Sequence, residues 1–404
     1  MQPAPSITID DIFAARDRIL GNVLLTPCPV SEALSHLTGS RVVCKLEYLQ
    51  RTGSFKERGA CNALMLLKGK KLKGAVTASA GNHALALAYH GKRLGVPVTV
   101  VMPKFAPLIK SHNSRLLGAN VILHGDSFME AKQEANELAK KEGLYYVHGF
   151  DDPHVIAGAG TLGLELIEEV PDLDAVIVPV GGGGLLAGVS LAIKSVRPHI
   201  QVIGVEGSTM PGFAAALRAG EPTTVPAVPT LADGLAVGCV GTNAFQIARE
   251  HLDRLIEVDE ATIAQAILRL IEMEKAVIEG AAASSLAALI SGQLPELSGK
   301  RVCLLLCGGN IDPLLLSTVI EKAMAADGRL VRFVASISDR PGGLAKLATL
   351  IAEAGATIIE VTHDRAFCGA NAFNVNVICR VATRDAEHAA QLIQSLSIFD
   401  ARLM

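Results

Sequence analysis

Chemistry in this 404-residue chain concentrates in four short segments, and the first is a lysine: Ser54-Phe55-Lys56-Glu57-Arg58-Gly59-Ala60. An amine becomes a Schiff-base former when burial or a neighbouring cation lowers its pKa, and Arg58 lies close enough in sequence to contribute. Most lysines are simply exposed, so Lys56 gains meaning only from the segments around it. The second segment, Ser79-Ala80-Gly81-Asn82-His83-Ala84, falls between a strand-like and a helix-like stretch. Free amides and the helix dipole at such a junction favour an anion such as a substrate carboxylate, although the same residues also make an ordinary helix cap. Gly81 permits close backbone approach, and Asn82 offers a donor and an acceptor.

The third segment is the run Gly181-Gly182-Gly183-Gly184, between the strand-like Asp174–Val180 and the apolar helix-like Leu185–Val196. A tight turn needs one or two glycines, whereas four make a nest of amides able to hold a phosphate without a charged side chain. The same residues also fit a dinucleotide fingerprint, Gly182-x-Gly184-x-x-Ala187, with Glu206 about 20 residues on where a ribose ligand would sit. That alternative predicts a nicotinamide dehydrogenase and leaves Lys56 unexplained. No Gly-Lys-Ser/Thr follows, so a nucleoside-triphosphate loop is excluded. The fourth segment, Cys307-Gly308-Gly309-Asn310, closes the strand-like Val302–Leu306. There a thiol would point toward a cleft ligand, unless Cys307 is only a buried structural cysteine.

These segments must be positioned by alternating elements. Between about residues 40 and 325, apolar strand-like runs at 74–78, 96–102, 120–123, 174–180, 202–206 and 302–306 alternate with helical spacing at 84–94, 109–117, 128–141, 158–169 and 185–196. Continuous apolar strands separated by helices predict parallel sheets covered on both faces. Two α/β lobes facing a shared cleft follow, because ligands bind outside the carboxyl ends of such strands. Beyond Asp327 the pattern changes to a roughly 75-residue βαββα unit, with strands at 332–337, 357–362 and 373–381 and a loop at Ser338–Gly343.

Composition limits the function classes. With 37 basic and 40 acidic residues the net charge is -3, which gives no electrostatic footprint for nucleic acid or an anionic membrane. Apolar residues make up 50% and aromatic ones 4%, with no Trp, so the interior is built from Ala, Val, Leu and Ile. The start, Met1-Gln2-Pro3-Ala4-Pro5-Ser6, lacks a basic region followed by an apolar core, and no run is long enough to span a bilayer, which predicts a cytoplasmic protein. Eight scattered cysteines suggest neither a disulfide framework nor a zinc site, and no metal is expected.

Taken in this order, the four segments resemble the serine/threonine dehydratase family of fold-type II pyridoxal-phosphate enzymes, over about residues 10–325. The resemblance implies a two-lobed, tryptophan synthase β-like catalytic domain over 1–328, with a small lobe of about 50–151 inserted in the large one. It implies pyridoxal 5'-phosphate as cofactor, held by the amine of Lys56, with Phe55 and Asn82 on its ring and phenolic oxygen. Gly181, Gly182, Gly183, Gly184 and Leu185 would bind the phosphate, and Cys307 would face the pyridine nitrogen. Ser79, Ala80, Gly81, Asn82 and His83 would surround the substrate carboxylate, with Ala232, Asp233 and Gly234 lining the cleft.

The implied reaction is β-elimination from L-threonine, giving 2-oxobutanoate and ammonia, with L-serine as a further substrate. Serine or 3-hydroxyaspartate ammonia-lyase or racemase is the nearest alternative. Serine racemases carry Ser-Ser-Gly-Asn-His where this chain has Ala80, so the hydroxyl serving the opposite substrate face is missing. Some relatives bind a divalent ion at the residue matching Glu206, but Gly207–Leu217 holds no carboxylate. Residues 329–404 resemble a ferredoxin-like ACT domain, whose ligand loop matches Asp339, Arg340, Pro341 and Gly342; an amino-acid effector there and assembly as a homodimer or homotetramer are the implied partners. A ligand-free dimerisation module is the competing reading of this tail, and a non-catalytic amino-acid sensor using the tail alone is a further alternative for the whole protein, against which the Lys56 constellation speaks.

Overall fold

The computed structural model describes residues 7–106, 108–365 and 373–404; the leader reading at 1–6 therefore lies outside the described residues. The chain divides into two units, Met1–Ile311 and Asp312–Met404.

The first unit holds β1 (Arg41–Lys45), β2 (Ala75–Ala78), β3 (Val98–Met102), β4 (Asn120–Leu123), β5 (Tyr145–Tyr146), β6 (Ala175–Pro179), β7 (Gln201–Gly207), β8 (Arg254–Val258) and β9 (Arg301–Leu305). They form two parallel sheets, one four-stranded in the order β4-β3-β2-β5 and one five-stranded in the order β1-β9-β6-β7-β8. β1 precedes the smaller sheet in the chain but pairs with β9, Val43 against Cys303, in the larger one. Strands β2, β6 and β9 are almost wholly buried, as parallel strands covered by helices on both faces must be.

Helix Pro153–Glu169 is the spine of this unit. Asp152 caps it by accepting from His154 and Val155 N–H, and Pro153 fits the first turn, where no amide partner is needed. Small residues on this helix let two others approach closely. A Cβ on Gly158 would sit 2.5 Å from the Arg58 carbonyl oxygen, and one on Gly160 2.9 Å from that of Gly188. Helices Lys56–Leu67 and Gly184–Val196, each opening in a chemical segment, are thereby seated against one support.

Ions lock the first of these contacts. The fully buried Arg58 donates to both oxygens of Glu47 at 2.8 and 2.7 Å and to both oxygens of Glu165 at 2.6 and 2.7 Å. Lys45, also buried, reaches Glu165 at 2.8 Å and Glu169 at 3.0 Å. Charges this deep require such partners, since an unpaired buried ion costs several kcal/mol.

The second unit is antiparallel. Its strands β10 (Leu330–Ser338), β11 (Thr357–Asp364), β12 (Asn374–Ala382) and β13 (Arg402–Leu403) lie in the order β11-β12-β10-β13. Helices Gly343–Glu353 and Ala386–Ser395 complete a βαββαβ order. Alternate residues of β12, Val375, Val377, Cys379 and Val381, are buried with Phe333, Leu347, Ile351 and Leu392, the one-sided period that such a sheet requires. Helix Pro313–Ala326 also belongs here and packs on β10.

Candidate active site

Lys56 opens its helix, and its amine donates to the Gly149 carbonyl at 2.7 Å and lies 5.0 Å from the centre of the Phe55 ring. Burial pushes it down to about 8, against partial support from the Glu279 carboxylate. The cation anticipated for this role does not supply it: the Arg58 guanidinium is spent on Glu47 and Glu165, and burial is what lowers Lys56.

The loop Ser79–Gly81 follows β2 and leads into helix Asn82–Leu94. Ser79 Oγ accepts from Gly81 N–H at 3.2 Å. Asn82 is fixed from both ends: its Oδ1 accepts from Asn310 Nδ2 at 2.9 Å, and its Nδ2 donates to Glu279 at 2.9 and 3.1 Å. His83 is buried with Nε2 3.3 Å from the Val147 carbonyl, and burial, then the charge of Lys56, push it down to about 3. It is therefore a neutral imidazole, and the carbonyl makes Nε2 its protonated nitrogen.

The glycine run turns the chain from β6 into helix Gly184–Val196, with Gly183 in the left-handed region at φ 90°. Only glycine fits: a Cβ on Gly182 would lie 2.3 Å from the Phe150 ring, and one on Gly184 2.3 Å from the Phe150 carbonyl oxygen. Leu185 follows in the first helical turn, where amides have no partner within the helix. This is a backbone cradle with the character of a phosphate site.

Cys307 lies just past β9, buried, and its carbonyl accepts from Phe55 N–H at 3.0 Å. Burial, then Glu279, hold its thiol well above the ordinary range, so it stays neutral. Asp233 and Gly234 form a short 3-10 turn with Leu235 beside the glycine run. Asp233 pairs with Lys110 at 3.0 Å, an ion pair from the small lobe to the large one.

Glu206, which the dinucleotide reading would place on a ribose, is buried, and its two oxygens accept from Phe213 and Ala214 N–H at 2.9 and 2.8 Å. Burial pushes it up to about 7. It caps helix Gly212–Ala219, which leaves the dinucleotide fingerprint without its acidic member.

Two groups had no assigned role in the sequence reading. The segment Val147–Asp151 carries Lys56's acceptor and the wall beneath the glycine run, and its Asp151 caps helix Thr242–His251 through Ala244 and Thr242 N–H. Its only outward sign is its place before the Asp152-Pro153 helix start. Glu279 is the second, a lone carboxylate between Ile278 and Gly280 in an apolar stretch.

The pattern that defines the family described as "Pyridoxal-phosphate dependent enzyme" matches residues 19–308, a span holding all four segments except Gly309 and Asn310. The chain belongs to the pyridoxal-phosphate dependent enzymes. Within that family it is 45% identical over 360 residues, 89% of either chain, to the L-threonine ammonia-lyase of Thermotoga maritima. Because 360 aligned residues exceed the 311 of the first unit, that likeness runs into the second. Among solved structures, threonine deaminase isoform 2 of Solanum lycopersicum matches with a TM-score of 0.74 and 36% identity over 78% of this chain and 89% of that one. The serine racemase of Dictyostelium discoideum matches with a TM-score of 0.72 and 37% identity over 76% of this chain and 99% of that one. The residues present fit the family's cofactor: an amine near neutrality for the carbonyl carbon, a cradle that a Cβ would fill for the phosphate, and a neutral thiol at a strand end.

No described helix is long and apolar enough to cross a membrane. Among the described residues no cluster of His, Cys, Asp and Glu has the arrangement of a metal site.

Proposed function

We propose that the protein is a threonine ammonia-lyase, eliminating water from L-threonine and releasing 2-oxobutanoate and ammonia. What carries the reading is the convergence of Lys56, its amine near neutrality, with the Asn82 loop and a neutral Cys307 in a chain so similar to a threonine ammonia-lyase.

Gly181, Gly182, Gly183, Gly184 and Leu185 would hold the cofactor phosphate, Lys56 its carbonyl carbon, Phe55 and Asn82 its ring and phenolic oxygen, and Cys307 its pyridine nitrogen. When bound, pyridoxal phosphate supplies an electron sink for charge developing at the substrate α-carbon. Ser79, Ala80, Gly81, Asn82 and His83 would bind the substrate carboxylate at the start of helix Asn82–Leu94, where amides and dipole favour an anion. Asp233 and Gly234 would line the side facing the substrate's β-carbon.

The Lys56 amine, displaced by the substrate amine and lowered to about 8, is the base for the α-proton. Loss of the α-proton and departure of the protonated β-hydroxyl as water leave an enamine, which tautomerises to an imine and is hydrolysed by one water to the 2-oxo acid and ammonia. A neutral Cys307 cannot hold a proton firmly on the pyridine nitrogen as a carboxylate would, which favours prompt elimination over transamination. Ala80 brings no hydroxyl for protonating the opposite face, which disfavours racemisation.

In the second unit, Asp339, Arg340, Pro341 and Gly342 would receive an amino-acid effector. Gly342, in the left-handed region at φ 94°, precedes helix Gly343–Glu353, and both oxygens of Asp339 accept from Arg365 at 3.0 Å. Pairing of such units would make a homodimer or homotetramer.

The deciding experiment is 2-oxo acid formation from L-threonine and L-serine by cofactor-loaded protein, with Lys56→Ala as control. Product from the wild type alone is expected; product undiminished in the variant would sink the assignment of Lys56, and none from either substrate would sink the elimination.

A further inference from the structure

Glu279 caps helix Gly280–Ile290 from the main chain, yet its side chain turns away into the cleft of the first unit. It is 5% exposed, and both its oxygens lie on Asn82 Nδ2. Space is cleared for it by Gly308, where a Cβ would lie 2.3 Å from Glu279 Oε1.

The amide of Asn82 has only one orientation here. Asn310 Nδ2 donates to Asn82 Oδ1 and, at 2.7 Å, to the Thr52 carbonyl, so the nitrogen of Asn82 must face Glu279. The chain Thr52–Asn310–Asn82–Glu279 ties the loop before Lys56 to the start of helix Asn82–Leu94.

Resting on the elimination proposed above, we propose that Glu279 is a positioning residue of the reaction: its carboxylate sets the Asn82 amide, and its negative charge supports the proton on the Lys56 nitrogen in the resting, cofactor-loaded enzyme, before substrate frees that amine to act as base. The charged and titratable groups around it are Asp233 and Lys110 at the cleft mouth, and Lys56 and Cys307 within. Burial first, then Asp233, raise Glu279 to about 7, against Asn82, Asn310 and Lys110, so its charge changes in the working range.

The test uses the cofactor-loaded full chain as wild type, Glu279→Gln and Glu279→Asp, read by pH titration of the bound cofactor's absorbance without substrate and by kcat and KM against pH. Removing a nearby negative charge lowers a cation's titration midpoint, on the order of one pH unit for partly buried groups. Glu279→Gln is expected to show that drop and to lose the rise of kcat through about pH 7, with KM little changed. Glu279→Asp keeps the charge but withdraws it from Asn82; its midpoint stays with the wild type's while kcat falls about tenfold, the worth of one hydrogen bond to a charged group. An unchanged midpoint and pH limb in the Gln variant would overturn the charge role. An Asp variant with wild-type kcat would overturn the contact role and, should the Gln variant not fold, decides alone. Because the absorbance titration needs no turnover, it still reports on Glu279 if the wild type forms no 2-oxo acid.

Discussion

A lysine amine held near neutrality in the folded chain has a cost that depends on pH, and Lys56 makes that cost measurable. Burial lowers it from its ordinary 10.5 to about 8, so the folded state binds the proton less tightly than the unfolded chain. The penalty is therefore full below about pH 8, shrinks as pH rises, and vanishes above about 10.5. Replacing Lys56 by Met removes it. In the cofactor-free protein, Lys56→Met should melt above the wild type at pH 7, with the gap closing between pH 8 and 10.5. Melting curves across that range check the sign, and a gap independent of pH would mean that packing, not charge, separates the two proteins. Arg58 takes no part in this: removing it would instead strand the buried Glu47, whose carboxyl the Arg58 guanidinium holds below its ordinary range against burial.

At the scale of elements, two helix starts are held in place by a third helix with no side chain between. A Cβ on Gly158 would meet backbone, the Arg58 carbonyl oxygen at 2.5 Å and Gly59 Cα at 2.7 Å. Backbone cannot swing aside, so Gly158→Ala must push helix Lys56–Leu67 away. We expect a loss of about 1–3 kcal/mol in unfolding free energy, the usual cost of overpacking, together with weaker cofactor affinity. Denaturant melts and a cofactor titration would show both; a variant as stable as the wild type would mean that the helices are not tightly seated. This coupling was not legible in the sequence, where Gly158 is one small residue in an apolar helical run. What was legible was local. Strand β4 at 120–123 follows directly from its apolar run, and the glycine run identifies its own turn. Glu279 escaped, and Asn310, though within the fourth segment, was read without its contacts, because both depend on partners as distant in sequence as Asn82 and Thr52, which no spacing rule connects. The Lys56 acceptor at Gly149 escaped for the same reason.

At the scale of the whole chain, the proposed catalysis and the proposed response to effectors fall in different units. Every residue proposed to touch cofactor or substrate lies at or before Cys307, within Met1–Ile311. The serine racemase of Dictyostelium matches over 99% of its own length with only 76% of this chain, so a relative of that size carries no counterpart of much of the remainder. The second unit has a core of its own, around Phe333, Leu347, Ile351 and Val377, and helix Pro313–Ala326 packs on β10. A chain ending at Ile311 should therefore keep its core and still form 2-oxobutanoate from L-threonine. Assayed beside the full chain against each of the common amino acids, it should show an unaltered rate, whereas the full chain responds to at least one of them. Arg340→Ala in the full chain should weaken that response and leave the rate without effector as it was. A truncated chain that still responds would move the effector into the first unit, and a full chain that responds to none would leave the second unit an assembly module. The comparison measures a coupling free energy between two sites, which is what regulation by the tail requires.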